Sequence, residues 1–270
     1  MPKIMRNMID LYLETLPVLQ RAFHVLENKI EKPAFVKHGT YYVFRYQNQT
    51  VQAAVIQKLA RLISGLQASL LLLQGGFVQE LGAIFRTLDE FNEDIIFLCQ
   101  AIRTGELTGL HQEYLKSFYQ EEFDLPDNPL LSEQKRPTIS RRRIHAAIAN
   151  IPESETNPSD TKEIHRTLSQ TYSGYVHGAS GHIMEMYGGD PPRYYLAGMI
   201  DTPLIASCTE NIFHYFYRGL MSVMFVAGSF GEQKLLQDLY AFRDYFEKKS
   251  GRTEWEHPEK MIKKMKDKKA

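Results

Sequence analysis

Two cysteines in 270 residues, Cys99 and Cys208, are too few for a disulfide framework. Each sits inside an apolar helical pattern, which predicts reduced, buried thiols rather than nucleophiles. Net charge is missing as well, because 32 Lys and Arg balance 32 Asp and Glu. A chain-wide field for nucleic acid or an anionic membrane is thereby excluded, and any such contact must rest on a local patch. Near neutrality also favours self-association. No stretch reaches the roughly 18 uncharged apolar residues of a membrane span. The nearest, Gly219 to Gly231, is short and is preceded by Glu210, His214 and Arg218. The N-terminus is amphipathic, carries Asp10 and Glu14, and does not read as a signal peptide. A cytoplasmic protein without a membrane segment is the expectation. There is no Gly-rich phosphate loop, nucleophile elbow or cysteine metal cluster, so neither a metal nor a cofactor is expected.

What is present is helical periodicity. Apolar residues recur at Ile9, Leu13, Leu16, Leu19, Phe23 and Leu26, which predicts a helix over 4–32 ending at Lys32-Pro33. Tyr41 to Phe44 is an aromatic run, either extended or entering the next helix. Residues 48–74 read as a second helix, broken by Gly75-Gly76, and 77–103 as a third. Residues 104–160 are less regular, with short helices near 107–119 and 139–150. A helix over 161–187 ends at Gly188-Gly189-Asp190-Pro191-Pro192. Asp201-Thr202-Pro203 starts a long apolar helix over 203–229, and an amphipathic helix covers 232–249. Residues 250–270 form a basic tail without an apolar stripe, predicted flexible and dispensable for folding. The pattern predicts one all-α, bundle-like domain of about seven helices over 1–249, with 104–160 as an inserted segment.

Two helices carry polar lines. On the third, Gln79, Gly82, Arg86 and Glu90 align opposite Leu88, Phe91, Ile95, Leu98 and Ile102. Arg86 and Glu90 stand one turn apart and can pair. Gly82 lets a neighbouring element approach closely. On the helix over 161–187, Leu168, Tyr172, Tyr175, Ala179 and Met186 share one face at ~100° per residue. Arg166, Gln170, Ser173, His177 and Ser180 share the opposite face. An Arg, a His and two hydroxyls in one column suit an anionic group, and equally a solvated face. Arg141-Arg142-Arg143 with His145 is a second candidate anion site. His182 with Glu185, and Glu210 with His214, have metal-ligand spacing, but a lone pair arises easily by chance.

Leu70–Gly75 followed by Glu80-Leu-Gly-Ala-Ile-Phe-Arg86-Thr-Leu-Asp-Glu90 resembles a pattern in a bacterial all-helical family of unknown function. Tyr172-Ser-Gly-Tyr-Val-His177-Gly178 resembles that family's second signature. The resemblance covers roughly residues 50 to 248. That family is distantly similar to the HEPN group, many of whose members are ribonucleases in toxin or anti-phage systems. The HEPN signature is an Arg, four to six residues, then a His. Here it occurs at Arg252 to His257, and at a longer spacing at Arg166 to His177.

Two functions are therefore expected. The first is a helical module, a homodimer through apolar helices such as 203–229, that binds a partner (RNA or protein) or a small anionic ligand in a stress or phage-defence setting. Arg86, Glu90, Ser173, Arg141, Arg142 and Arg143 would bind. The second is a metal-independent ribonuclease, with His177 moving the proton and Arg166 stabilising the phosphate.

Overall fold

A computed structural model of the chain describes residues 3–151 and 158–252. Among these, ten α-helices and two short antiparallel strand pairs form a predominantly all-α architecture. Helix α1 (Lys3–Glu27) buries Leu11, Leu16, Leu19 and Leu26. It stops short of Lys32 because the Asn28 amide turns back onto the His24 carbonyl, closing the last turn. A hairpin follows, β1 (Ala34–His38) paired with β2 (Tyr41–Arg45). The aromatic run is thus a strand, and β1 had no expectation attached to it. Helix α2 (Val51–Gly75) is capped by Thr50, whose hydroxyl accepts from the Ala53 amide at 3.1 Å. The paired glycines break the chain as expected, and α3 (Val78–Thr104) folds back along α2.

Helix α9 (Pro203–Ser229) lies among α1, α2 and α3, with α10 (Gln233–Ser250) closing over it. Ile212, Phe213, Phe216, Leu220 and Val223 of α9 are fully buried. The apolar residues expected to offer self-association on this helix are therefore mostly inside the bundle, while Ser207, Glu210 and His214 lie on its solvent side. By length and composition α2, rather than the 219–231 stretch, is the one described helix that passes for a membrane span, and half of its apolar window is packed inside the bundle.

The inserted segment holds α4 (Gly109–Tyr119), a 3₁₀ turn (Pro129–Leu131) and α5 (Arg141–Ala149). Its irregular stretch is tied to the first hairpin, with Asp127 accepting from Thr40 and Glu121 from Arg45.

The single helix expected over 161–187 is three helices: α6 (Pro158–Thr171), α7 (Ser173–His177) and α8 (Ser180–Met184). Tyr172 leaves helical geometry at φ −104°, ψ 2°. Gly178 sits at φ 64°, a left-handed conformation that ends a helix and that glycine adopts without a Cβ penalty. The opposed stripes therefore do not run on past Tyr172 as one helix. Strand β3 (Tyr187–Gly188) then pairs with β4 (Arg193–Tyr194). Trp255, His257, Met261 and the lysine run of the tail lie outside the described residues.

Candidate functional site

The polar line of α3 does face a neighbour. A Cβ on Gly82 would stand 2.5 Å from the Tyr175 ring, so α7 sits against α3 at closer range than any larger residue permits. Tyr172 meets Phe85 edge-on with centroids 5.3 Å apart, and Phe85 stacks on Tyr215 of α9 at 4.0 Å. Gln79 donates to the His182 carbonyl at 2.7 Å, and the Tyr175 hydroxyl donates to Glu185 at 2.7 Å. Tyr175, not His177, is the α7 residue that meets the line. His177 is exposed at the last position of α7, and Ser173 is half-buried. Arg86 pairs with Glu90 at 2.7 Å. Its Nη1 is buried without a hydrogen-bond partner among the described residues.

Further along α3 is a feature that residue spacing did not expose. Asp89, Asn92, Glu93 and Asp94 are all buried. Asp94 takes Lys58 of α2 at 2.8 Å, Tyr114 of α4 at 2.7 Å and Arg141 of α5 at 2.5 Å. Glu93 takes Arg141, His145 at 3.0 Å and His165 of α6 at 3.1 Å. Asp89 takes Arg218 of α9 at 2.5 Å, and Asn92 accepts from Ser222 at 2.7 Å. Burial pushes the Glu93 carboxyl up, but hydrogen bonds from His145 and His165 and the charge of Arg141 outweigh it and hold the group well below its usual range. Burial raises the Asp89 carboxyl against the opposing pull of Arg218. This ionic belt joins α2, α3, α4, α5, α6 and α9. Buried ion pairs add little net stability over apolar packing, but they penalise any arrangement that separates the partners. The sequence signal was five Asp, Glu or Asn residues within 89–94 of a helix that is mostly apolar on its inner side.

The basic cluster is divided. Arg141 points inward to the belt, Arg143 pairs with Glu113 at 2.6 Å, and Arg142 is exposed. Arg166 pairs with Glu163 and donates to Gln170 at 2.6 Å. Arg252 pairs with Glu210 and stands 4.2 Å over the Phe213 ring. Each Arg offered as an anion receptor, Arg142 apart, thus holds a carboxylate. Among the described residues no group of three or more His, Cys, Asp or Glu is placed to hold a metal. Burial pushes the Cys99 thiol up to about 12 and the Cys208 thiol up to about 11, so both stay protonated at neutral pH.

The surface that the fold leaves uncovered lies at the end formed by α7, α8 and β3–β4. The Met199 amide donates to the Gly76 carbonyl at 2.8 Å, which seats Leu196 and Ile200 beside the α2–α3 turn and Phe77. The Tyr195 amide donates to Met186 at 2.8 Å, the Tyr194 hydroxyl reaches Met184 at 3.4 Å, and Tyr194 meets Tyr187 edge-on at 4.9 Å. Leu196 is 81% exposed and Ile200 58% beside the α2–α3 turn, and Leu71 on α2, Val176 on α7 and Ile183 on α8 are exposed as well. Glu80, Asp190, Arg193 and Asp201 are exposed at the rim of this surface. Sequence reading passed over Leu196 and Ile200 because they lie in a Gly- and Pro-containing connection without helical period.

Comparisons with family models, with curated proteins and with solved structures yield no match to this chain.

Proposed function

We propose that this protein is a non-catalytic helical module that works by docking a protein partner through the apolar end face, and that the partner is a second copy of the chain. The observation that carries this is the exposed apolar pair beside the α2–α3 turn, Leu196 at 81% and Ile200 at 58%. The rim suits a two-fold arrangement, because Arg193 of one copy would meet Asp190 or Asp201 of the other. Zero net charge removes the long-range repulsion between like copies. The anion-binding form of the module has less support, since Arg86, Arg141, Arg143 and Arg166 are all engaged by carboxylates.

The alternative is a HEPN-like ribonuclease in a toxin or defence setting, which rests on the sequence resemblance. Its Arg166 is held by Glu163 and Gln170. Its His177 belongs to a different helix, so the column that would have served both residues is broken at Tyr172.

Sedimentation equilibrium tests the proposal. The full-length chain is expected to be a dimer at micromolar concentration, and Leu196→Asp and Ile200→Asp are each expected to make it monomeric with unchanged circular dichroism. A monomeric wild type, or variants that remain dimeric, would overturn it.

A further inference from the structure

We infer that the outer face of the β1–β2 hairpin, with the groove beside it, is a binding platform for single-stranded nucleic acid. This surface is separate from the apolar end face, and the inference does not depend on the dimer.

The strand register places Phe35 opposite Phe44 and Lys37 opposite Tyr42. Successive side chains alternate faces, so these four share one side of the hairpin. Phe35 is 62% exposed, Tyr42 57% and Phe44 65%. Phe35 lies between the other two rings, 5.3 Å from Tyr42 at 26° and 4.9 Å from Phe44 at 43°. The three rings therefore form one surface, held out from the bundle because Thr40 is tied to Asp127 and Arg45 to Glu121. Three adjoining exposed rings suit unstacked bases, since every base has a π-face to lay on an aromatic ring.

Phe44 also lines a groove of about 640 Å³ between the hairpin and α4. Gln47, Gln49, Gln57 and Gln120 line the same groove, together with His38. Side-chain amides donate and accept at once, which matches the mixed edges of bases, whereas an aliphatic partner would gain nothing from four of them. Lys37 adds a cation on the ring face, whereas Lys29, Lys32 and Arg45 are paired with Glu232, Glu27 and Glu121. The groove's carboxylate, Glu121, is already held by Arg45. Because Lys37 is the one cation on the ring face, binding relies on stacking more than on phosphate, and a shallow salt dependence follows. Duplexes present no free base faces and are disfavoured.

Fluorescence anisotropy of a labelled single-stranded oligouridylate with the full-length protein tests this. Wild type is expected to bind the single strand and not the matching duplex. Phe35→Leu and Phe44→Leu are each expected to weaken binding about tenfold, because Leu keeps the apolar surface but removes the stacking ring. Phe44→Trp should retain binding, and Lys37→Ala should weaken it less than either Leu variant. With only Lys37 and one or two neighbours near phosphate, the log–log salt slope should be about −1 to −2. Leu196→Asp should bind as wild type does. No binding by wild type would overturn the inference. Binding unaffected by folded Leu variants would do the same, as would Leu variants that change the oligomeric state instead, which would make the hairpin a protein contact.

Discussion

Arg141 Nη1 stands 2.5 Å from the Asp94 carboxylate, although 47 residues separate them, and its Nη2 reaches the neighbouring Glu93. One guanidinium thus bridges two buried carboxylates, with Lys58 also on Asp94, and fastens α5 to α3. Removing one partner of a buried pair leaves an uncompensated charge, which costs about 3–5 kcal/mol. Arg141→Ala should lower unfolding stability by that order in urea denaturation. Arg141→Met combined with Lys58→Met, Glu93→Gln and Asp94→Asn should recover a substantial part of the loss, because both cations leave together with the carboxylates they face. Loss of less than about 1 kcal/mol in the single variant would mean that the belt is dispensable.

The belt should also make the fold sensitive to acid. Glu93 is held below its ordinary value of 4.5 by His145, His165 and Arg141. A depressed carboxyl contributes stability that is present above its unfolded value and is lost as pH falls through the folded one. The stability difference between wild type and Glu93→Gln should therefore be constant from neutral pH down to about 5 and shrink progressively below 4.5. Denaturant titrations of both proteins across this range would show it. A difference that grows on acidification would contradict the sign.

Gly82 should not tolerate a side chain. An added methyl would lie 2.5 Å from the Tyr175 ring. Overpacking of this kind costs about 1–3 kcal/mol. Gly82→Ala should lower stability by that amount in wild type, and by clearly less in a Tyr175→Ala background, where the ring is gone. Equal costs in both backgrounds would place the strain elsewhere on α3.

Purified protein incubated with mixed RNA and EDTA should show no cleavage above that of the Arg166→Ala/His177→Ala variant. His177 is exposed on α7, and Arg166 on α6 is engaged by Glu163. EDTA-resistant cleavage that disappears with His177→Ala would transfer support from the docking module to the ribonuclease.

Much of the helical frame was legible in the residues. The helix over 203–229 was delimited at both ends, by Thr202-Pro203 and by the glycine after Phe230. The break at Gly75-Gly76 and the close approach at Gly82 were legible for the same reason: a glycine reports on its own backbone and needs no distant partner. The helix over 161–187 was misjudged because its apolar period persists through Tyr172, Tyr175 and Met186, while the backbone beneath it breaks at Tyr172 and Gly178.

Local sequence determined the all-α class, the helix ends marked by Gly75-Gly76 and Thr202-Pro203, and the neutral, cysteine-poor character, because capping, periodicity and charge balance are properties of neighbouring residues. Only the tertiary structure decided which polar residues are inside. Glu93, Arg141, His145 and His165 span 72 residues and meet only once α5 and α6 have docked on α3. It also decided which apolar residues stay outside. Leu196 and Phe44 do not differ in chemistry from Leu220 and Phe216, and burial follows from what the rest of the chain places over them.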